Sequence, residues 1–248
     1  MTRYEPKEPK LSTAAFEQRS KALAVKLART LDKATGEISL PSDISSHRAT
    51  LSLGGRASEL ITRNRGKHRV IALCDITSDV HAWIGYREFW QRKGTERNFR
   101  FVEGGFTLHV GRVGELKKPQ ILRSEWIGRR SDMFGNDAGH PHWQLDVLES
   151  ARKAVVEPAK FAEDHTVPVE FGLVGEEGSF GESLLFGLTV ERMHLASAAL
   201  WWRKPSVPIA YPPENVADVD RWILGCTTYL RQEVRRCTVV GVPSYLAT

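Results

Sequence analysis

The segment Gly139-His140-Pro141-His142-Trp143-Gln144-Leu145-Asp146-Val147 concentrates side chains that can bind an ion or move a proton. Residues alternate faces along a β-strand. An extended segment here turns His140, His142, Gln144 and Asp146 one way, and Pro141, Trp143, Leu145 and Val147 the other. Three readings stay open. In the first, two histidines at i, i+2 share a divalent metal ion, with Gln144, Asp146 or Glu125 adding oxygen. Glu125 lies in Leu122-Arg123-Ser124-Glu125-Trp126, the strand expected just before, and cross-strand neighbours sit roughly 5 Å apart. The metal ligands would be His140 and His142, and the catalytic set His140, His142, Glu125 and Asp146. In the second reading a histidine is a general acid or base without metal, and Arg123 is its electrostatic partner. In the third, the polar row only hydrogen-bonds within a half-buried sheet.

Cations form the next candidate. Arg56, Arg63, Arg65, Lys67, Arg69, Arg87, Arg92, Lys93, Arg97 and Arg100 fall in one stretch, interleaved with Trp83, Tyr86, Phe89 and Trp90. Cations contact phosphates and an exposed aromatic stacks on a base. The nucleic-acid-binding expectation names Arg63, Arg65, Lys67, Arg69, Arg92, Lys93 and Arg97. The bland alternative is a solvated basic face backed by an aromatic core stripe. His194, three residues after Glu191 on an expected helix, is read as a polar residue of that helix face. Gly104-Gly105 has no following helix and no Lys-Ser/Thr, so it is not a phosphate-binding loop. No Gly-x-Ser-x-Gly elbow occurs.

Positioning these residues takes an ordinary amount of core. Of 248 residues, 41% are hydrophobic and 26% charged, and the net charge is +5. That balance permits an acidic partner such as DNA or RNA without requiring one. Cys74, Cys226 and Cys237 form no CxxC pair, which argues against a zinc ribbon or redox motif. An odd cysteine count and no apolar leader fit a cytoplasmic setting. No apolar run approaches the roughly 18 residues that span a bilayer, so no membrane partner is expected.

The pattern predicts a flexible arm over 1–10 and a single α+β domain over 11–248. Within it, 11–95 reads as helical, 98–175 as an antiparallel sheet and 184–237 as helical again, so that helices precede and follow a central antiparallel sheet. The first helix covers 12–32, a loop 34–47, and a second helix about 54–64. Residues 63–69 are a basic break, and 70–74 a buried strand or the start of another helix. Trp83, Tyr86 and Trp90 at i, i+3, i+7 spacing predict a helix over 79–93, ended by Gly94. Residues 99–113 read as a hairpin about Gly104-Gly105, and 120–128 as a strand. Further on, 167–174 reads as extended and 176–179 as a turn, with a strong apolar segment over 184–202. Residues 204–213 are a proline-rich connector, and 216–236 a helix with Val219, Trp222, Ile223, Cys226, Tyr229 and Leu230 near one face.

His140-Pro141-His142 loosely resembles the His-hydrophobic-His strand of HUH endonucleases, which use it to hold a metal while a helix tyrosine attacks DNA. Proline stands in the middle position, and Tyr229 has Glu233 rather than lysine four residues on, so Tyr229 is read as a core or interface aromatic. Leu122-Arg123-Ser124-Glu125-Trp126, Pro141-His142-Trp143-Gln144-Leu145-Asp146 and Met193-His194-Leu195-Ala196 together also resemble small uncharacterised bacterial Pro-His-Trp-motif proteins of plasmids and genomic islands. Many of those carry histidine at the position of Gln144. That resemblance implies a setting among defence or toxin–antitoxin genes and supplies no activity. The expectation is an accessory component of a bacterial defence or mobile-element system that binds nucleic acid or protein partners. The alternative is a metal-dependent nuclease built on the His-x-His strand.

Overall fold

The computed structural model describes residues 7–63, 66–129, 131, 141–145 and 212–239. Among them run nine strands and two helices: β1 (Lys10–Leu11), α1 (Thr13–Thr30), β2 (Ser42–Ile44), β3 (Arg48–Ser52), β4 (Ser58–Arg63), β5 (Gly66–Asp75), β6 (Val80–Gln91), β7 (Phe99–Arg112), β8 (Gln120–Ile127), β9 (His142–Leu145) and α2 (Val216–Val239). The fold class is α+β. All nine strands join one antiparallel sheet, ordered β2-β3-β6-β7-β8-β9, with β5 and then β4 attached to β6 and β1 to β7. β6 therefore shares one edge between two strands: β5 pairs with it from Ile84 to His81 and β3 from Arg87 to Gln91.

Both terminal helices form where the sequence predicts them. Ser12 caps α1 by accepting from the Ala15 amide. Phe16, Leu23 and Leu27 of α1 and Val219, Ile223, Leu230 and Val234 of α2 are buried with the inward residues of the sheet in one core. Tyr229 packs its ring 6.1 Å from that of Trp143, as an interface aromatic.

Three expectations are corrected. Residues 54–64 and 79–93 are not helical; they hold β4 and β6. The i, i+3, i+7 aromatics of the second segment divide between faces. Tyr86 and Trp90 join the main core, whereas Trp83 lies in a separate cluster with Ile61 and Val70. The strand is buried on both faces from Ala82 to Tyr86, which hides the period of two that would have identified it. Residues 99–113 are likewise not a hairpin but the single strand β7. Gly104 sits mid-strand because a Cβ there would come within 3.1 Å of the Trp222 ring. Finally, the end of the 1–10 arm is tied down: Lys10 pairs with Arg100, and Glu8 forms an ion pair with the Arg100 guanidinium. The sheet thus begins well before residue 98. The segments expected at 146–211, including the 167–174 strand, lie outside the described residues. No helix among the described residues is long and apolar enough to cross a membrane.

A buried charge cluster joins the layers. Glu88 of β6 is fully buried and accepts two hydrogen bonds of 2.7 Å from Arg19 of α1, one of 2.6 Å from the Trp90 indole and another from the Tyr86 hydroxyl. Arg19 also donates from Nε to Asp220 of α2 at 2.7 Å. Burial and the adjacent Glu88 charge push the Tyr86 phenol well above its ordinary range.

Burial likewise pushes the Cys74 thiol up to about 11 and Cys226 up to about 12. These acids have raised folded-state pKa values, so the stability they contribute is complete below pH ~9 and is lost as pH rises toward their folded values. Thermal melting should therefore weaken steadily above pH ~9, by up to about 1.4 kcal/mol per pH unit for each group. A Cys74→Ala, Cys226→Ala double variant should flatten that decline; a decline identical to wild type would contradict the assignment.

Candidate functional site

Alternation and register decide which side chains share the sheet face opposite the helices. On β6 they are Trp83, Gly85, Arg87 and Phe89, because Ala82, Ile84, Tyr86, Glu88 and Trp90 turn inward. One cross-strand row on this face runs Ser52, Arg87, Gly105, Glu125, His142. The next runs Gly85, Thr107, Arg123, Gln144.

The expected strand at the histidines is present as β9, and His142 and Gln144 face away from Trp143, which packs on the core. Glu125 lies directly opposite His142, with Nε2 and Oε2 3.9 Å apart. Arg123 lies opposite Gln144, donates to its carbonyl oxygen from Nε at 2.9 Å, and sits 3.1 Å from Glu125. These side chains make a polar quartet, about one third exposed or less at Arg123, Glu125 and His142. The guanidinium against Glu125 offsets the negative charge a metal ion would seek. The described residues contain no group of three or more His, Cys, Asp or Glu able to hold a metal ion. His140, Asp146 and His194 lie outside the described residues.

The basic residues take two positions. The sequence read as a basic break is the hairpin end of β4 and β5, paired from Ser58–Ile71 to Arg63–Gly66. The pairing puts Lys67 and Arg69 on one face of this ribbon with Thr62 and Leu60, and Ile61, Glu59 and Val70 on the other. The second face encloses Trp83 together with the loop 113–119 after β7. Lys118, its side chain wholly buried, stands 4.4 Å over the Trp83 ring and donates to Glu59 at 2.8 Å and to the carbonyls of Arg112 and Glu115. Thr62 N–H donates to the Leu116 carbonyl at 2.7 Å, closing the ribbon onto that loop. Lys67 and Arg69 are exposed. Arg65 lies outside the described residues, and Arg63 is placed by its backbone alone at the end of β4.

Arg92, Lys93 and Arg97 occupy the turn between β6 and β7. Arg92 is committed to the fold: it donates to the Ser46 carbonyl at 2.9 Å and lies 4.4 Å over the Phe99 ring. Lys93 and Arg97 are exposed. The Arg69 carbonyl lies 3.7 Å from where a Cβ on Gly85 would sit, so the ribbon leaves the sheet beside Gly85. The turn begins six positions further along β6, roughly 20 Å away.

Between the two lies a feature the sequence reading missed. Arg48, Arg87, Phe89, Thr50, Ser45 and Asp43 line a hollow of about 320 Å³, with the Arg48 guanidinium 5.9 Å from the Phe89 ring centre. Its signal was present in the sequence, but only once 80–91 is read as a strand do Arg87 and Phe89 share a face. Comparison of the chain with protein-family models, with curated proteins and with solved structures found no match.

Proposed function

We propose that this chain is an accessory nucleic-acid-binding component of a bacterial defence or mobile-element system. One observation carries the binding half: the β4–β5 ribbon exposes Lys67 and Arg69 on one face while its carboxylate, Glu59, is spent on Lys118 from the other. Cations without a local counter-charge attract a polyanion and release its counterions on binding. The setting rests on the resemblance of the Arg-x-Glu-Trp and Pro-His-Trp segments. The metal-dependent nuclease is the weaker reading, because the Arg123 guanidinium already lies against Glu125.

The test is anisotropy of labelled DNA and RNA strands titrated with the full chain across a range of NaCl. Affinity should fall steeply with salt. Lys67→Gln with Arg69→Gln should make the slope of log K against log salt shallower by about 1.4 on single strands, at roughly 0.7 per phosphate contact. A folded wild-type protein that binds neither DNA nor RNA at low salt would end this reading and assign the ribbon to a protein partner.

A further inference from the structure

We propose that the hollow around Phe89 seats a base of a single-stranded nucleic acid, with Arg87 and Arg48 on the adjoining phosphates; this rests on the nucleic-acid reading above. Three features of the hollow point there. The first is charge. Among the described residues, the Arg48 and Arg87 side chains have no hydrogen-bond or ion-pair partner, although Asp43 shares the hollow. Among the lining residues two guanidinium groups face one carboxylate, with Glu103 across from Phe89 on β7. The second is the aromatic floor. Phe89 is partly exposed, and Arg48 approaches its ring loosely. An aromatic ring flanked by guanidinium groups offers flat surfaces to a base, and both ring and guanidinium stack on it. A base inside a duplex has both faces covered by its neighbours, so the hollow selects an unpaired strand. An apolar peptide side chain would gain little here, because Phe89 is the one apolar lining residue.

The third feature is the exit from the hollow. Arg87 pairs in register with Gly105 on β7, and a Cβ added to Gly105 would meet nothing within 4 Å. Glycine in a strand interior weakens the strand and marks places where another chain comes close. The step without a side chain opens the floor between Arg87 and the Glu125–His142 pair. In the other direction along β6, the ribbon departs beside Gly85, two residues from Arg87. The ribbon residue on the face of Phe89 there is Val70, while Arg69 turns to the other face with Ile71, so the cations beside a strand seated on Phe89 are Arg87 and Arg48.

The experiment compares a 12-nucleotide single strand, its duplex and an abasic version of the strand, each titrated with the full chain at low salt. Wild type should bind the single strand more tightly than the duplex. Phe89→Leu should weaken the single strand roughly ten-fold, the scale of one lost base–aromatic stack, and leave the abasic strand unchanged. Phe89→Trp keeps a ring and should match or exceed wild type, which also covers the case in which Phe89→Leu fails to fold. Equal binding by wild type and Phe89→Leu, or loss of binding in Phe89→Trp, overturns the stacking site. So does a duplex bound as tightly as the strand. In each of those cases the nucleic-acid reading survives if Lys67→Gln, Arg69→Gln still changes the salt slope. Wild type that binds none of the three overturns both.

Discussion

Replacing Arg19 with methionine should cost this protein about 3–5 kcal/mol, the usual scale for stripping one partner from a buried ion pair. Glu88 is fully buried and Arg19 nearly so. Removing the guanidinium leaves a carboxylate with only the Tyr86 hydroxyl and Trp90 indole as donors. It also frees Asp220 of α2 and removes a cation held 5.4 Å from the Trp90 ring. For a chain of this size the melting temperature should drop on the order of 10 °C. Adding Glu88→Gln should recover more than half of the loss, because it removes the buried charge while the amide oxygen accepts from the Trp90 indole and the amide NH2 donates to the Tyr86 hydroxyl oxygen. A single variant that melts within 2–3 °C of wild type, well below that scale, would show that the cluster does not fasten α1 and α2 to the sheet.

Trp83→Ala should be comparably damaging, about 3–5 kcal/mol for a large buried aromatic, but in a different place. Trp83 is 2% exposed, packs with Ile61 and Val70, and donates to the Gly111 carbonyl at 2.8 Å. It is the surface onto which both the ribbon and Lys118 settle. Its loss should therefore raise amide exchange first in β4 and the N-terminal half of β5, ahead of the helices. Strand binding should weaken in parallel, since Lys67 and Arg69 would no longer be held beside the sheet. Uniform exchange across the molecule, with no earlier opening of β4, would contradict the idea that this small second core is what positions the ribbon.

The alkaline decline and the Arg19 effect share a cause. Both follow from ionisable groups placed where water cannot solvate their charge, which makes the protonation state part of the packing.

The sequence by itself determined the features governed by local chemistry. Capping at Ser12 and apolar spacing placed α1, and the amphipathic stripe from Val219 to Leu230 placed α2. Alternation from His142 to Leu145 fixed which way His142 and Trp143 face, because a period of two needs only neighbours in the chain. That β8 and β9 pair was expected from their adjacency in the chain, but the register that sets Glu125 opposite His142 came from the structure. What required the tertiary structure was everything set by burial on both sides of a strand. β6 carries aromatic and apolar residues on both faces, so its pattern imitated a helix until the ribbon and Lys118 were seen covering one face and α1 and α2 the other. The same blindness concealed Glu88, whose partners lie 69 residues away on α1 and, through Arg19, on α2. It also concealed the Phe89 hollow, which draws Asp43, Arg48 and Arg87 from three strands. Pairings over such separations are chosen by the fit of whole layers, and no window along the chain contains both halves of the contact.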